Sequence, residues 1–167
     1  MQRLLIENLR LGFHANTSLA LKLAETVDAA DMCDQPAAAM NHPAWIFRHL
    51  HTYHPVIVDL LEGRDPTDPK DAPFGKNSEA LADPAVYGEW SQVVADYRGG
   101  VESVNAALEG AVSMDESLLF RKMPVARWQE RFPAAGSILA YLMVHHEAFH
   151  IGQLSTWRRA RGLPRLG

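Results

Sequence analysis

His145-His146-Glu147-Ala148-Phe149-His150-Ile151-Gly152-Gln153-Leu154 places two histidines four positions apart, late in a 167-residue chain. At about 100° per residue, Leu139, Met143, His146, His150, Leu154 and Trp157 share a narrow arc of one helix face. The pair interrupts an apolar stripe. Side chains at i and i+4 carry their Cβ atoms roughly 5–6 Å apart, so the two imidazoles can share one metal ion. Two buried histidines, each satisfied by its own hydrogen bond, are the other reading.

The same string spells H-E-x-x-H, the zinc-protease signature, in which the Glu is the general base and a third ligand lies downstream. The 17 residues after His150 contain no His, Asp, Glu or Cys, and the metzincin Gly and third His positions hold Gln153 and Thr156. A third ligand must come from upstream, which disfavours a protease.

Upstream, the chain offers three further helical stretches. The first runs from about residue 2 to 30, with Leu5, Leu9, Gly12, Asn16, Leu19, Leu23 and Val27 stepping by three or four. Gly12 and Asn16 on that face point to a local packing accommodation or a wet pocket; His14 lies off it, at the surface. After a turn holding Pro36, Asn41 is the expected N-cap of the second helix, with Pro43 in its first turn. Trp45, His49, Thr52, Val56 and Leu60 share its apolar face. His49 is thus a third histidine on an apolar stripe, whereas His42 is at the helix mouth and His51 and His54 fall off the stripe. Pro55 predicts a kink.

Gly63 to about Asp83 reads as a solvated loop rich in Pro and Asp; Asp65, Asp68 and Asp71 lack the EF-hand pattern. Asp83-Pro84 is expected to open the third helix, whose face is Val86, Trp90, Val93, Tyr97, Val101, Val104 and Leu108. Gly99-Gly100 in its middle costs roughly 1 kcal/mol per glycine and marks a bend or a close helix contact. Gly110 to about Pro133 is irregular, with Trp128 and Phe132 packing down, and its polar-aromatic composition suits the lip of a site. The fourth helix spans about Ala134 to Arg161 and stops at Gly162. No strand-like alternation, repeat, phosphate loop or nucleophile elbow occurs. The expected fold is all-α, a four-helix bundle in one domain, residues 1–167. Its long second and third connections allow departure from simple up-down order.

Composition narrows the partners. With 16 basic against 20 acidic residues the net charge is −4, which argues against a nucleic-acid role. The one basic cluster, Arg158, Arg159, Arg161 and Arg165, is explained by the helix dipole. No apolar run approaches the roughly 20 residues of a membrane span. Cys33 is alone, so no internal disulfide can form. With no signal-peptide layout, a reducing cytoplasm is the expectation. The expected partner is a small molecule or a second copy of the chain; Trp, Phe and Met beyond what four helices bury suggest a homodimer.

With these elements placed, the sequence resembles the DinB/YfiT-like family of metal-binding four-helix bundles. The resemblance rests on Trp45-Ile46-Phe47-Arg48-His49-Leu50, on His146 through Leu154, and on Arg161-Gly162-Leu163-Pro164. It implies one divalent metal, zinc or nickel, held by His49, His146 and His150 with water or a thiol in the open position. It also implies thiol-dependent transferase or isomerase chemistry with a low-molecular-weight thiol such as bacillithiol or mycothiol. The function expected is therefore a metal-dependent enzyme acting on a small molecule, a thiol S-transferase or a hydrolase. The alternative is a non-catalytic metal-binding or dimerisation module. No acid-base residue can be named; Glu147 is expected either to hold a ligand imidazole or to sit in a surface ion pair, and Gln153 could orient a ligand too.

Overall fold

Four helical periodicities become four long helical segments in the computed structural model, which describes residues 2–111 and 117–164. α1 (Gln2–Ala24), α2 (Pro43–Leu61) and α3 (Trp90–Ala111) are continuous. After the short α4 (Ser117–Phe120) and α5 (Ala126–Gln129), the last segment comprises α6 (Ala135–Ala140), a π-helical turn (Tyr141–His146) and α7 (Glu147–Ala160). Among the described residues no strand forms; Lys122 and Ala134 make an isolated antiparallel bridge. α1 packs on α3 and α7, and α2 packs on the same two neighbours. Helices consecutive in the chain, α1 and α2, thus sit across a diagonal. This all-α arrangement departs from simple up-down order, as connections of this length permit.

Three boundaries differ from the sequence expectation. α1 ends at Ala24, and Asp28 then caps a separate 3-10 turn over Ala29–Asp31. Its core face is Ile6, Leu9, Phe13, Thr17, Ala20 and Leu23, while Leu5 and Leu19 are 37% and 44% exposed. Phe13 is the reason: burying its ring removes more apolar surface than either leucine would, so the helix is rolled toward it. The N-cap of α2 is His42, not Asn41. The His42 ring accepts from the Trp45 amide at 3.3 Å and lies 2.9 Å from the Leu81 carbonyl. Asp83-Pro84 opens only a 3-10 turn, Pro84–Val86. Gly88, at φ +78°, breaks the chain before α3 begins at Trp90, and Val86 is left 44% exposed. α2, by contrast, continues through Pro55.

Gly12 and Asn16 explain each other through the last segment. A Cβ on Gly12 would lie 3.0 Å from Val144 Cγ2. One turn on, Asn16 Nδ2 donates to the carbonyls of Met143 and Val144 at 3.3 and 3.0 Å. Those carbonyls belong to the π-helical turn, where the regular i→i−4 ladder is interrupted and a carbonyl's second lone pair is open to an outside donor. The polar notch in α1 is a local packing accommodation, fitted to the wide turn that leads into His146.

Gly100 marks a close helix contact. A Cβ there would fall 2.1 Å from His54 Nδ1 and 2.8 Å from His51 Nδ1, whereas a Cβ on Gly99 would meet nothing within 4 Å. The two neighbours should therefore respond oppositely to alanine. Gly99→Ala should stabilise by about 0.5–1 kcal/mol through helix propensity. Gly100→Ala should destabilise by about 1–3 kcal/mol, the range for overpacking a fixed core. Urea unfolding of the two variants decides it, and equal behaviour would refute the contact.

Two arginines of the last helix's basic cluster are tied to other parts of the chain, Arg158 in the core and Arg161 at the surface. Buried Arg158 donates to Pro164 O at 2.9 Å and to Thr26 Oγ1. Arg161 pairs with Asp31 and Asp34 at 2.5 and 2.6 Å. Arg165 lies outside the described residues. No described helix is long and apolar enough to cross a membrane.

Candidate metal centre

His49, from the middle of α2, meets His146 and His150 from the last segment. One nitrogen from each ring lies within 4.8 Å of the other two. All three side chains are buried, between 5% and 8% exposed. His49 Nε2 stands 3.1 Å from His146 Nε2. Four-coordinate zinc with bonds of about 2.0–2.1 Å separates its donor atoms by about 3.4 Å, so the cluster is close to that scale.

The outer nitrogens set two of the three tautomers. His49 Nδ1 lies 2.7 Å from the carbonyl of Phe74, which can only accept, so this nitrogen carries the hydrogen. His150 Nδ1 donates to Gln153 Oε1 at 2.9 Å, and Asn41 Nδ2 holds the same oxygen at 3.1 Å. Both rings therefore turn a bare Nε2 inward, as metal-binding imidazoles do. Desolvation by burial lowers the pKa of His49 to about 3, of His146 to about 2 and of His150 to about 4, with the neighbouring imidazoles adding to the effect at His49 and His146. At neutral pH the rings are neutral, and the bare Nε2 atoms of His49 and His150 face the His146 ring, whose Nε2 stands 3.1 Å from that of His49. A cation can accept the lone pairs so presented. The donor set is compatible with one divalent metal.

The same values fix a pH dependence for the metal-free protein. Unfolded, each imidazole titrates near its ordinary 6.5; folded, the three take up protons only near 4, 3 and 2. Below pH 6.5 the unfolded chain holds protons that the folded chain does not, so stability is full above 6.5 and falls as pH drops. At pH 5 the loss is on the order of 2 kcal/mol per imidazole. Urea unfolding at pH 7.5 and pH 5 should show it, and a His49→Ala/His146→Ala/His150→Ala protein should show much less. Equal pH slopes would refute the assignment of the protons.

Glu147 does neither of the things expected from sequence. It is 2% exposed, so it makes no surface ion pair, and it touches no candidate ligand. Its carboxylate accepts from Tyr97 Oη at 3.0 Å and lies 3.2 Å from His54 Nε2. The π-helical turn makes this possible: His146 and Glu147, adjacent in sequence, are both buried but against different neighbours. A carboxylate engaged in this way is not a free general base, which agrees with setting aside the protease reading. His54, read as off-stripe, is 1% exposed and belongs to this second cluster.

A cavity of about 290 Å³ opens over the three histidines, lined by Trp45, Tyr53, Lys76, Arg127, Arg131, Tyr141 and Phe149 besides the histidines themselves. Trp45 stacks on His49 with ring centres 4.5 Å apart, and Tyr53 packs edge-on against His146 at 4.8 Å. Burial pushes the Tyr53 phenol up, keeping it a proton donor. The segment from Gly110 to Pro133 does form part of the lip, through Arg127. The Pro-rich loop is not merely solvated: Asp68 takes two hydrogen bonds from Arg127 at 2.5 and 2.7 Å, and Phe74 supplies the carbonyl behind His49. Sequence reading missed Phe74, Asn41, Tyr53, Lys76, Arg127 and Arg131. A backbone carbonyl leaves no sequence signal; the arginines had one in the polar-aromatic composition of their segment.

The sequence matches the family model of the DinB superfamily over residues 13–154. No curated protein and no solved structure matches it.

Proposed function

The chain belongs to the DinB superfamily, and on that premise we propose that His49, His146 and His150 hold one divalent metal, zinc or nickel, in an enzyme acting on a small molecule. Its most specific form is a thiol S-transferase; a hydrolase uses the same parts. The observation that carries the reading is the inward convergence of three neutral imidazoles, two of them oriented from behind by Phe74 and Gln153. A metal so held supplies Lewis acidity, lowering the pKa of a bound water or thiol. The chain supplies the rest. Trp45 and Tyr53 shield the histidines from water, and the Tyr53 hydroxyl remains protonated as a donor. Cys33 is no nucleophile of its own: it is buried, and burial raises its thiol to about 11. A nucleophilic thiol therefore comes from a cosubstrate.

Elemental analysis of the purified and zinc- or nickel-loaded protein, followed by turnover of model electrophiles and esters with a panel of thiols, tests this. Stoichiometric metal with thiol consumption is the expected result. Sub-stoichiometric metal after loading removes the site, and bound metal without turnover of any substrate removes the enzyme.

The second reading is a non-catalytic metal-binding or dimerisation module. It is supported by Leu4, Leu11 and Leu19, 66%, 53% and 44% exposed on α1, within an arc of about 80° at 100° per residue. A monomer by light scattering at tens of micromolar, the concentration scale of a micromolar complex, would remove the homodimer.

A further inference from the structure

We propose that the cavity over the three histidines selects a small anionic molecule, with Arg131 and Lys76 gripping its carboxylate or a similar oxyanion. The inference rests on taking this cavity as the functional site. Its fixed-charge lining is Lys76, Arg127 and Arg131, with no carboxylate among them. Arg127 is spoken for by the paired bonds to Asp68. Arg131 and Lys76 differ. Among the described residues neither has a carboxylate partner. The Arg131 guanidinium lies instead over Tyr141 and Phe132, 4.8 and 5.1 Å from the ring centres.

Stacking fixes the plane of the guanidinium and leaves its N–H edge for a ligand, which is how arginine recognises planar oxyanions. Lys76 adds a point charge on the same cavity. A concave, partly apolar wall concentrates the field of such charges. In a chain of net charge −4, an all-cationic site mouth runs against the average surface and draws anions. The volume, about 290 Å³, is at the small end for ligand pockets, which suits a small guest.

Calorimetric titration with succinate, inorganic phosphate and neutral succinamide tests this, on metal-loaded and metal-free protein at low salt. Succinate or phosphate should bind and succinamide should not. Arg131→Met with Lys76→Met, which keeps the apolar stems, should weaken binding by about tenfold or more. Lys122→Met, an exposed lysine outside the cavity, should change nothing. Stronger binding of succinate than phosphate assigns the grip to carboxylates, and the reverse to phosphoryl groups. Anion binding by metal-free protein that depends on Arg131 and Lys76 supports the inference whatever the metal content, which elemental analysis of the same samples reports separately. Folded double variant that binds as tightly as the parent overturns it. So does binding that Lys122→Met weakens equally.

Discussion

His150→Ala, His49→Ala and His146→Ala should each strip the metal from the purified protein, while His14→Ala and His54→Ala keep it. Three imidazole nitrogens within 4.8 Å of one another leave no spare protein ligand in the group. Removing one leaves two and an enlarged cavity. Changing a residue that merely supports a ligand costs about 10–100-fold in affinity, and loss of the ligand itself should cost more. The effect is visible without any substrate. Metal that binds the folded state alone stabilises it by about 2.7 kcal/mol at one hundred times its dissociation constant. For a chain of this size each kcal/mol moves Tm by about 2–4 °C. Added zinc or nickel should therefore raise the parent's Tm by about 5–10 °C and leave the three ligand variants unmoved. His54→Ala is the informative control. Its ring is committed to Glu147, so the variant should be less stable yet still respond to metal. If His54→Ala loses the response and His49→Ala keeps it, the third ligand has been misassigned.

Glu147→Ala should be strongly destabilising, with no loss of metal stoichiometry in whatever fraction is folded. The carboxylate is shared by Tyr97 and His54, both buried to 1% exposure or less. Truncation strands two donors in the core at about 1–3 kcal/mol each and leaves a cavity besides. The sum, on the order of 4–5 kcal/mol, corresponds to a fall in Tm of about 8–20 °C. Glu147→Gln keeps the volume and one acceptor oxygen, so it should lose less. The pair also discriminates between roles. A general base would lose activity on conversion to Gln with stability intact. A residue that ties α7 to α2 and α3 loses stability and spares per-site metal binding. A Glu147→Ala protein as stable as the parent would remove the structural role.

Much of this protein was legible before its coordinates. Apolar residues at three- and four-residue spacing determined that the chain is all-helical and located its four long segments, because that period reports which residues a helix can bury together. The same rule put His49, His146 and His150 on buried faces. What sequence could not supply was phase and partnership between elements. The roll of α1 toward Phe13, and the fit of Gly12 and Asn16 against the π-helical turn, depend on a helix more than a hundred residues away. Glu147 sits beside His146 in the chain yet faces Tyr97 and His54, because the wide turn lets two successive residues be buried against different neighbours. Gly99-Gly100 reads as a bend or a close helix contact, but only the packed structure shows that Gly100 makes the contact, with His54 occupying the place of its missing Cβ. Gln153 was readable as a ligand's orienter from its place near the histidine face, but the other supports of the site lie furthest from sequence: a carbonyl at Phe74 and a stacked guanidinium at Arg131 acquire meaning only through distance. Periodicity decides what is buried; only the packed structure decides what each buried or cornered group meets.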